Sequence, residues 1–73
     1  DIKVDVMTRV VRAKFTQHEI LGNLLCKTGN AKLIDGNAQN DTFWGVCNGI
    51  GKNHLGNILM QIRNELQEER KNA

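Results

Sequence analysis

Residues 41–63 read DTFWGVCNGIGKNHLGNILMQIR, which places a carboxylate, the only tryptophan and a glycine- and asparagine-rich loop directly ahead of an amphipathic helix. The helix is predicted to begin near Asn53, because apolar residues then recur at the spacing of one buried helical face. These residues are Leu55, Ile58, Leu59, Ile62 and Leu66. Phe43 and Trp44 give the loop apolar anchors of its own. We interpret this order as the wall of a pocket built on a helix.

Two shorter helices are predicted ahead of this stretch. Apolar residues follow helical spacing over residues 2–14 and again after residue 19, where the second helix ends at Gly29, a residue suited to the left-handed conformation. The apolar positions are Val6, Met7, Val10, Val11 and Phe15 in the first helix and Ile20, Leu21, Leu24 and Leu25 in the second. Thr16 and Glu19 have the spacing of a capping box, which predicts that Thr16 starts the second helix.

The remaining segments are predicted to be irregular. Residues 31–35 are short, apolar in the middle and followed by glycine, which favours a brief extended segment. Residues 36–53 are rich in glycine and asparagine and predict a long loop, whereas the charged residues 67–73 predict a frayed tail. The expected fold class is mainly α: a small multihelical domain of about three helices, with one short extended segment and a long Gly/Asn-rich loop.

Length and composition limit the classes of protein that the chain can represent. Its 73 residues predict a single domain, 1–73, with a modest core. The net charge of +2 is small and its basic residues are dispersed, which does not favour nucleic-acid binding. No apolar run reaches the roughly 18 residues of a membrane span, and the first residues lack the layout of a signal peptide. We therefore expect a cytoplasmic protein that is not bound to a membrane.

The cysteine and histidine residues do not form a metal-binding pattern. Cys26 and Cys47 are far apart in sequence, and His18 and His54 add no recognisable ligand spacing. We expect no metal site, no cofactor and two reduced, partly buried thiols.

The glycine-rich loop does not match the common phosphate-binding motifs. A Walker A loop would need glycine at the position of Val46 and Ser or Thr at that of Asn53. A dinucleotide-binding pattern from Gly49 would need glycine at the position of His54. A weaker hypothesis is that the start of the last helix binds an anion through unpaired backbone N–H groups.

Each notable residue also has a purely structural interpretation. Trp44 is by default a core anchor, and Asp41 can cap a turn with its carboxylate. Gly56 lies inside a predicted helix, where glycine usually signals the close approach of another backbone. Lys14 and Arg63 are ordinary cations on a helix surface unless a phosphate lies nearby.

Four elements of the chain, in order, resemble the motifs of one known family. Residues 41–45 and 51–63 match Asp-x-x-Trp-Gly and Gly-x-Asn-x-Leu-Gly-x-x-Leu-Met-x-x-Arg, residues 6–7 and 14–17 match Val-Met and Lys-Phe-x-Gln, and residues 24–25 and 28–29 match Leu-Leu and Thr-Gly. This series is similar to that of the NADAR (YbiA-like) N-glycosidases and covers roughly residues 5–66.

The resemblance implies hydrolysis of an N-glycosidic bond between a ribose phosphate or ADP-ribose and a nitrogenous base. Known substrate classes of the family are early riboflavin-pathway intermediates and, in some members, ADP-ribosylated guanine, so nucleic acid is an expected partner only when ADP-ribosylated. Such chemistry needs a carboxylate, an aromatic face and phosphate donors. The catalytic residues implied are Asp41 and Trp44, and the substrate-binding residues are Lys14, Gly45, Lys52, Asn53 and Gly56, with no metal ligand.

The chain departs from the family in length. Family members are about twice as long, and their N-terminal half, which holds further acidic and aromatic pocket residues, has no counterpart here. A second chain or a homo-oligomer is therefore a possible source of the other pocket wall. The alternatives are a truncated, non-catalytic helical module that binds a nucleotide or a protein partner, and a purely structural fragment.

Overall fold

The computed structural model describes residues 1–73 and contains three helices. They are α1 (Ile2–Gln17), α2 (Glu19–Lys27) and α3 (His54–Lys71). Between α2 and α3 the chain is irregular, and its only β-type pairings are two isolated bridges, Gly36 with Val46 and Cys47 with Ile50. The predicted fold class is confirmed. None of the three helices is both long enough and apolar enough to cross a membrane.

The core lies where the three helices meet. α1 and α2 contribute one apolar side chain each to the core cluster, Val11 and Leu25, whereas α3 contributes the other three, Ile58, Ile62 and Leu66. Ile62 is 0% exposed. The apolar stripe predicted for the last helix therefore faces both other helices, and α3 is the central element of the fold.

Three of the predicted helix boundaries are wrong: the end of α1, the start of α2 and the end of α3. Thr16 does not start α2, because α1 continues to Gln17 and the Thr16 hydroxyl donates back to the carbonyl of Arg12, at 2.8 Å. His18 alone, in an extended conformation, forms the corner between α1 and α2. At the other end, α3 continues to Lys71, so the tail expected to fray is helical. The predicted helix stop at Gly29 is confirmed by its φ of 64°.

Arg63 is buried, although the sequence predicted a surface cation. Its Nη1 atom donates to the hydroxyl of Thr28 at 2.9 Å and to the carbonyl of Ala31 at 2.8 Å. The guanidinium therefore ties α3 to the chain that leaves α2, where carbonyl groups lack helical partners. This contact is structural.

Candidate functional site

The carboxylate of Asp41 organises the turn that carries Trp44. Its Oδ1 atom accepts hydrogen bonds from the backbone N–H groups of Phe43, at 3.1 Å, and of Trp44, at 2.9 Å. Asn37 holds Asp41 from the other side, since its side chain accepts from the Asp41 N–H and donates to the Asp41 carbonyl. The turn-capping interpretation of Asp41 is confirmed. The second carboxylate oxygen, Oδ2, makes no hydrogen bond within the chain, so it is free to meet a ligand.

Trp44 lies at the boundary between the core and the surface. Its indole is partly buried and packs against the core cluster, as a core anchor would. The same ring meets the Phe43 ring edge-on, with centroids 4.8 Å apart. The Phe43 ring in turn contacts the Lys3 ammonium, 4.0 Å from the ring centroid, and the His54 ring, with centroids 4.6 Å apart. These contacts give the indole a defined orientation.

The indole also lines an open apolar groove of about 410 Å³. The other lining residues all belong to α1: Ile2, Lys3, Val6, Met7 and Val10. Asp41 does not line this groove. The structure therefore brings Asp41 and Trp44 together through the backbone of one turn, but not as two walls of one cavity.

The start of α3 is closed by the same turn. The N–H groups of Asn53, His54 and Leu55 donate to the carbonyls of Gly45, Phe43 and Trp44, at 3.3, 3.2 and 2.9 Å. Because these donors are already paired, they are not available to an anion. The hypothesis of an anion site at the unpaired start of this helix is therefore wrong.

Asn53, Gly56 and Gly45 hold the extended segment against the helix start. The buried Asn53 side chain accepts from the Asp35 N–H and donates to the Leu33 carbonyl, both at 2.9 Å. A Cβ atom on Gly56 would clash with the Leu33 carbonyl oxygen, and one on Gly45 would clash with that of Asp35. The close backbone approach predicted at Gly56 is confirmed. Each of the three residues thus fixes the shape of the loop around Trp44.

The two predicted lysine contacts lie on different elements, Lys14 on α1 and Lys52 in the loop before α3. Lys14 is exposed on α1 and borders a different apolar cavity, of about 380 Å³, with Phe15 and Leu59 among its lining residues. Lys52 is exposed in the loop just before α3 and forms no ion pair. Neither ammonium is held in place by the chain, so both are free to move toward a phosphate.

Sequence reasoning missed the residues that support the site. Asn37 was counted only as part of an asparagine-rich loop, although its side chain makes the two bonds that anchor Asp41. Lys3 is far from Phe43 in sequence and nothing in its local pattern indicated their contact. A signal existed only for Asn37, because an asparagine in a turn-rich segment typically accepts from the backbone N–H two residues on, as Asn37 does from Gln39.

Comparison with known proteins identifies one family. The family model described as the NADAR domain matches residues 1–67. N-glycosidase YbiA from Escherichia coli is 44% identical over 70 residues, which are 94% of this chain and 43% of that protein. An N-glycosidase from Nostoc punctiforme is 39% identical over 90% of this chain and 42% of its own length. A riboflavin biosynthesis protein from Vibrio vulnificus is 46% identical over 93% of this chain and 18% of its own length.

The chain spans less than half the length of these curated relatives. No solved structure matches it.

Proposed function

We infer that this chain, which belongs to the NADAR domain family, supplies the Asp41 and Trp44 part of an N-glycosidase site. The substrate class proposed is a ribose phosphate or ADP-ribose joined to a nitrogenous base, either a riboflavin-pathway intermediate or ADP-ribosylated guanine. Relatives named N-glycosidase and riboflavin biosynthesis protein support this proposal. The observation that carries it is the turn in which one oxygen of Asp41 holds the Trp44 backbone and the other is free.

The proposed reaction is a hydrolysis without metal or cofactor. The bond between the anomeric carbon and the base nitrogen breaks, and a bond from that carbon to a water oxygen forms. One proton of the water leaves with the base. The free Oδ2 atom of Asp41 would stabilise the positive charge that develops on the ribose or would accept the water proton. The rigidly held indole of Trp44 would stack on the base or the ribose.

The other proposed residues would position the substrate. Gly45, Asn53 and Gly56 would act through the loop that they shape, since their contacts are with the backbone of the extended segment. Lys14 and Lys52 would contact the phosphate, because both ammonium groups are exposed and free of carboxylate partners.

A second function is favoured by one specific observation. Asp41 lines none of the four cavities of the chain, whereas Trp44 lines one of them. A groove without the carboxylate suits a non-catalytic module that binds a nucleotide or a protein partner through Trp44. In that case the chain would bind without releasing a base.

The test measures release of free base from ADP-ribosylated guanosine and from aminopyrimidine ribose phosphates, for the native chain and for Asp41→Asn, each alone and each together with the part of Escherichia coli YbiA that does not align with this chain. Asparagine keeps an Oδ1 atom that accepts the Phe43 and Trp44 N–H groups but loses the negative charge. We expect Asp41→Asn to lower turnover at least about 100-fold, within the range for loss of a catalytic acid or base, with an unchanged circular dichroism spectrum.

Asp5→Asn is the matched control, because it removes the same charge from an exposed position on α1. It should leave turnover intact. Undiminished base release by Asp41→Asn would refute the catalytic role. Substrate binding by the native chain with no base release would support the binding module instead.

A further inference from the structure

Helix α1 has two apolar faces, of which only one is covered. The inner face packs against the core through Val4, Met7, Val11 and Phe15. The second face carries Ile2, Val6 and Val10, four residues apart, and these side chains are 81%, 45% and 59% exposed. We call these three residues the outer face of α1. A surface helix normally has one apolar stripe, so a helix with two is typical of an element packed between two layers.

The outer face is continuous with the candidate site. Ile2, Val6 and Val10 line the 410 Å³ groove together with Trp44. The groove is almost wholly apolar, with Lys3 as its one charged lining residue. The Lys3 ammonium lies over the Phe43 ring, 4.0 Å from its centroid. Contiguous apolar surface of this kind is typical of a contact site for a protein or another ligand.

The relatives indicate what covers this surface. The match to Escherichia coli YbiA includes 94% of this chain but only 43% of YbiA, so more than half of a family protein lies outside the three helices described. That remaining part of the family protein is therefore the candidate occupant of the outer face of α1. The outer face of α1 is the apolar surface that adjoins Trp44, where a second pocket wall is needed.

We propose that the outer face of α1, together with Trp44, docks the remaining part of a NADAR domain, whether this polypeptide or another one carries it. This docking would close the groove over the indole. The surface assignment rests on family membership and on the exposed face. It relies on the proposed function only for the claim that the closed groove holds substrate.

The test co-expresses the chain with a tagged fragment of Escherichia coli YbiA. This fragment is the part of YbiA that does not align with this chain. We expect a stable one-to-one complex in sedimentation. Val10→Glu should reduce the recovered chain at least tenfold, because docking would bury an unpaired carboxylate. Ile20→Glu is the matched control, since Ile20 is 75% exposed on α2, outside the groove. It should leave recovery unchanged.

A tethered form provides a second measurement. In this form the same YbiA fragment is joined ahead of Asp1. Val10→Glu should lower the Tm of the tethered form by at least about 5 °C. In the chain alone, where Val10 is exposed, the same substitution should leave Tm nearly unchanged. The proposal would be overturned if no complex formed, or if Ile20→Glu reduced the recovery of the chain as much as Val10→Glu does. It would also be overturned if Val10→Glu lowered the Tm of the tethered form and of the chain alone equally. A dimer of the chain alone that only Val10→Glu dissociates would also overturn it, since a second copy would then be the occupant.

These results are separate from those for the proposed function. A complex that depends on Val10 but releases no base would leave the docking surface intact and refute the activity. Base release by the chain together with the YbiA part that Val10→Glu does not diminish would refute the docking surface and leave the activity intact.

Discussion

At the scale of single residues, the loop depends on hydrogen bonds from asparagine side chains and on glycines where any side chain would clash with the backbone. Asn53 has a left-handed backbone, with φ of 54°, and is 6% exposed. Its amide donates to one backbone group and accepts from another, so both ends of the side chain are used. Asparagine tolerates this conformation better than most residues do. The geometry therefore selects for this residue type.

Asn53→Asp should destabilise the chain by about 2 kcal/mol, because the Leu33 carbonyl would lose its donor and face a carboxylate in a buried position. Aspartate also tolerates the left-handed conformation, so the change isolates the lost donor. Urea denaturation followed by circular dichroism would measure the effect. Asn57→Asp, at an exposed position of the same helix start, should be neutral or slightly stabilising. Equal stability of the two variants would contradict the role of the Asn53 side chain in holding the extended segment against the start of α3.

Gly56→Ala should also be destabilising, by about 1–3 kcal/mol, because the new Cβ would force the Leu33 carbonyl away from the helix. The sign is informative, since the same change in an open helix interior stabilises by about 1 kcal/mol. Thermal unfolding would measure it. Gly36→Ala is the control, as no atom lies within 4 Å of a Cβ there. A rise in Tm for Gly56→Ala would show that the segment at residues 33–35 is not held as described.

The sequence indicated part of the site at this scale. The turn cap at Asp41 and the close approach at Gly56 follow from local chemistry, so both could be predicted from short windows. The contact of Lys3 with Phe43 joins residues far apart in the chain, and no local pattern encodes it. The anion hypothesis failed for a related reason: whether the first N–H groups of α3 are free depends on where the carbonyls of residues 43–45 fold.

At the scale of elements, apolar periodicity predicted the three helices but not all of their ends. The stripe in α3 is long and regular, and burial of Ile58, Ile62 and Leu66 confirms it. The corner between α1 and α2 was misplaced because Thr16 can bond either forward as a cap or back into its own helix. Its choice is set by the packing of α1, since helical stability comes mainly from tertiary contacts.

An ion pair joins α1 to α3 and predicts a pH dependence. Arg12 donates to both carboxylate oxygens of Glu65, at 2.8 and 2.9 Å. This hydrogen bonding lowers the pKa of Glu65 in the folded chain. A lowered folded pKa stabilises the fold above the unfolded pKa, and the contribution is lost as pH falls through the folded value. We therefore expect stability to decline below about pH 4.5, the ordinary pKa of the group.

The Arg12–Glu65 ion pair is expected to contribute less than about 1 kcal/mol to the free energy of unfolding. The two side chains are 38% and 41% exposed, so solvent screens their charges. Urea denaturation across the acidic range would measure it. Glu65→Gln should reduce the loss of stability on acidification. Glu69→Gln, at an exposed position on the same helix, should leave that loss unchanged. An identical acid profile for both variants would exclude this pair as the cause.

At the scale of the whole molecule, the core is small. Only 11 of 73 residues are buried, and only five of these form the apolar core between the helices. A domain of this size rarely gains more than about 3–5 kcal/mol from one core. The chain alone is therefore expected to be marginally stable.

Ile62→Ala should leave the chain largely unfolded at 25 °C, because removing a fully buried isoleucine costs about 3 kcal/mol, most of the expected total. Loss of the helical circular dichroism signal would show this. Ile20→Ala, at a position 75% exposed, should change stability by less than about 0.5 kcal/mol. A folded Ile62→Ala chain would show that the interior stabilises the fold more than its size suggests.

The position of Trp44 makes the chain its own optical reporter. With one tryptophan and no tyrosine, red-edge ultraviolet excitation selects a single indole that touches the interior, the Phe43 ring and the open groove. Unfolding, stacking of a purine and closure of the groove would each alter the colour or yield of its emission in a different way. All three events can thus be followed in unlabelled protein by one spectrum.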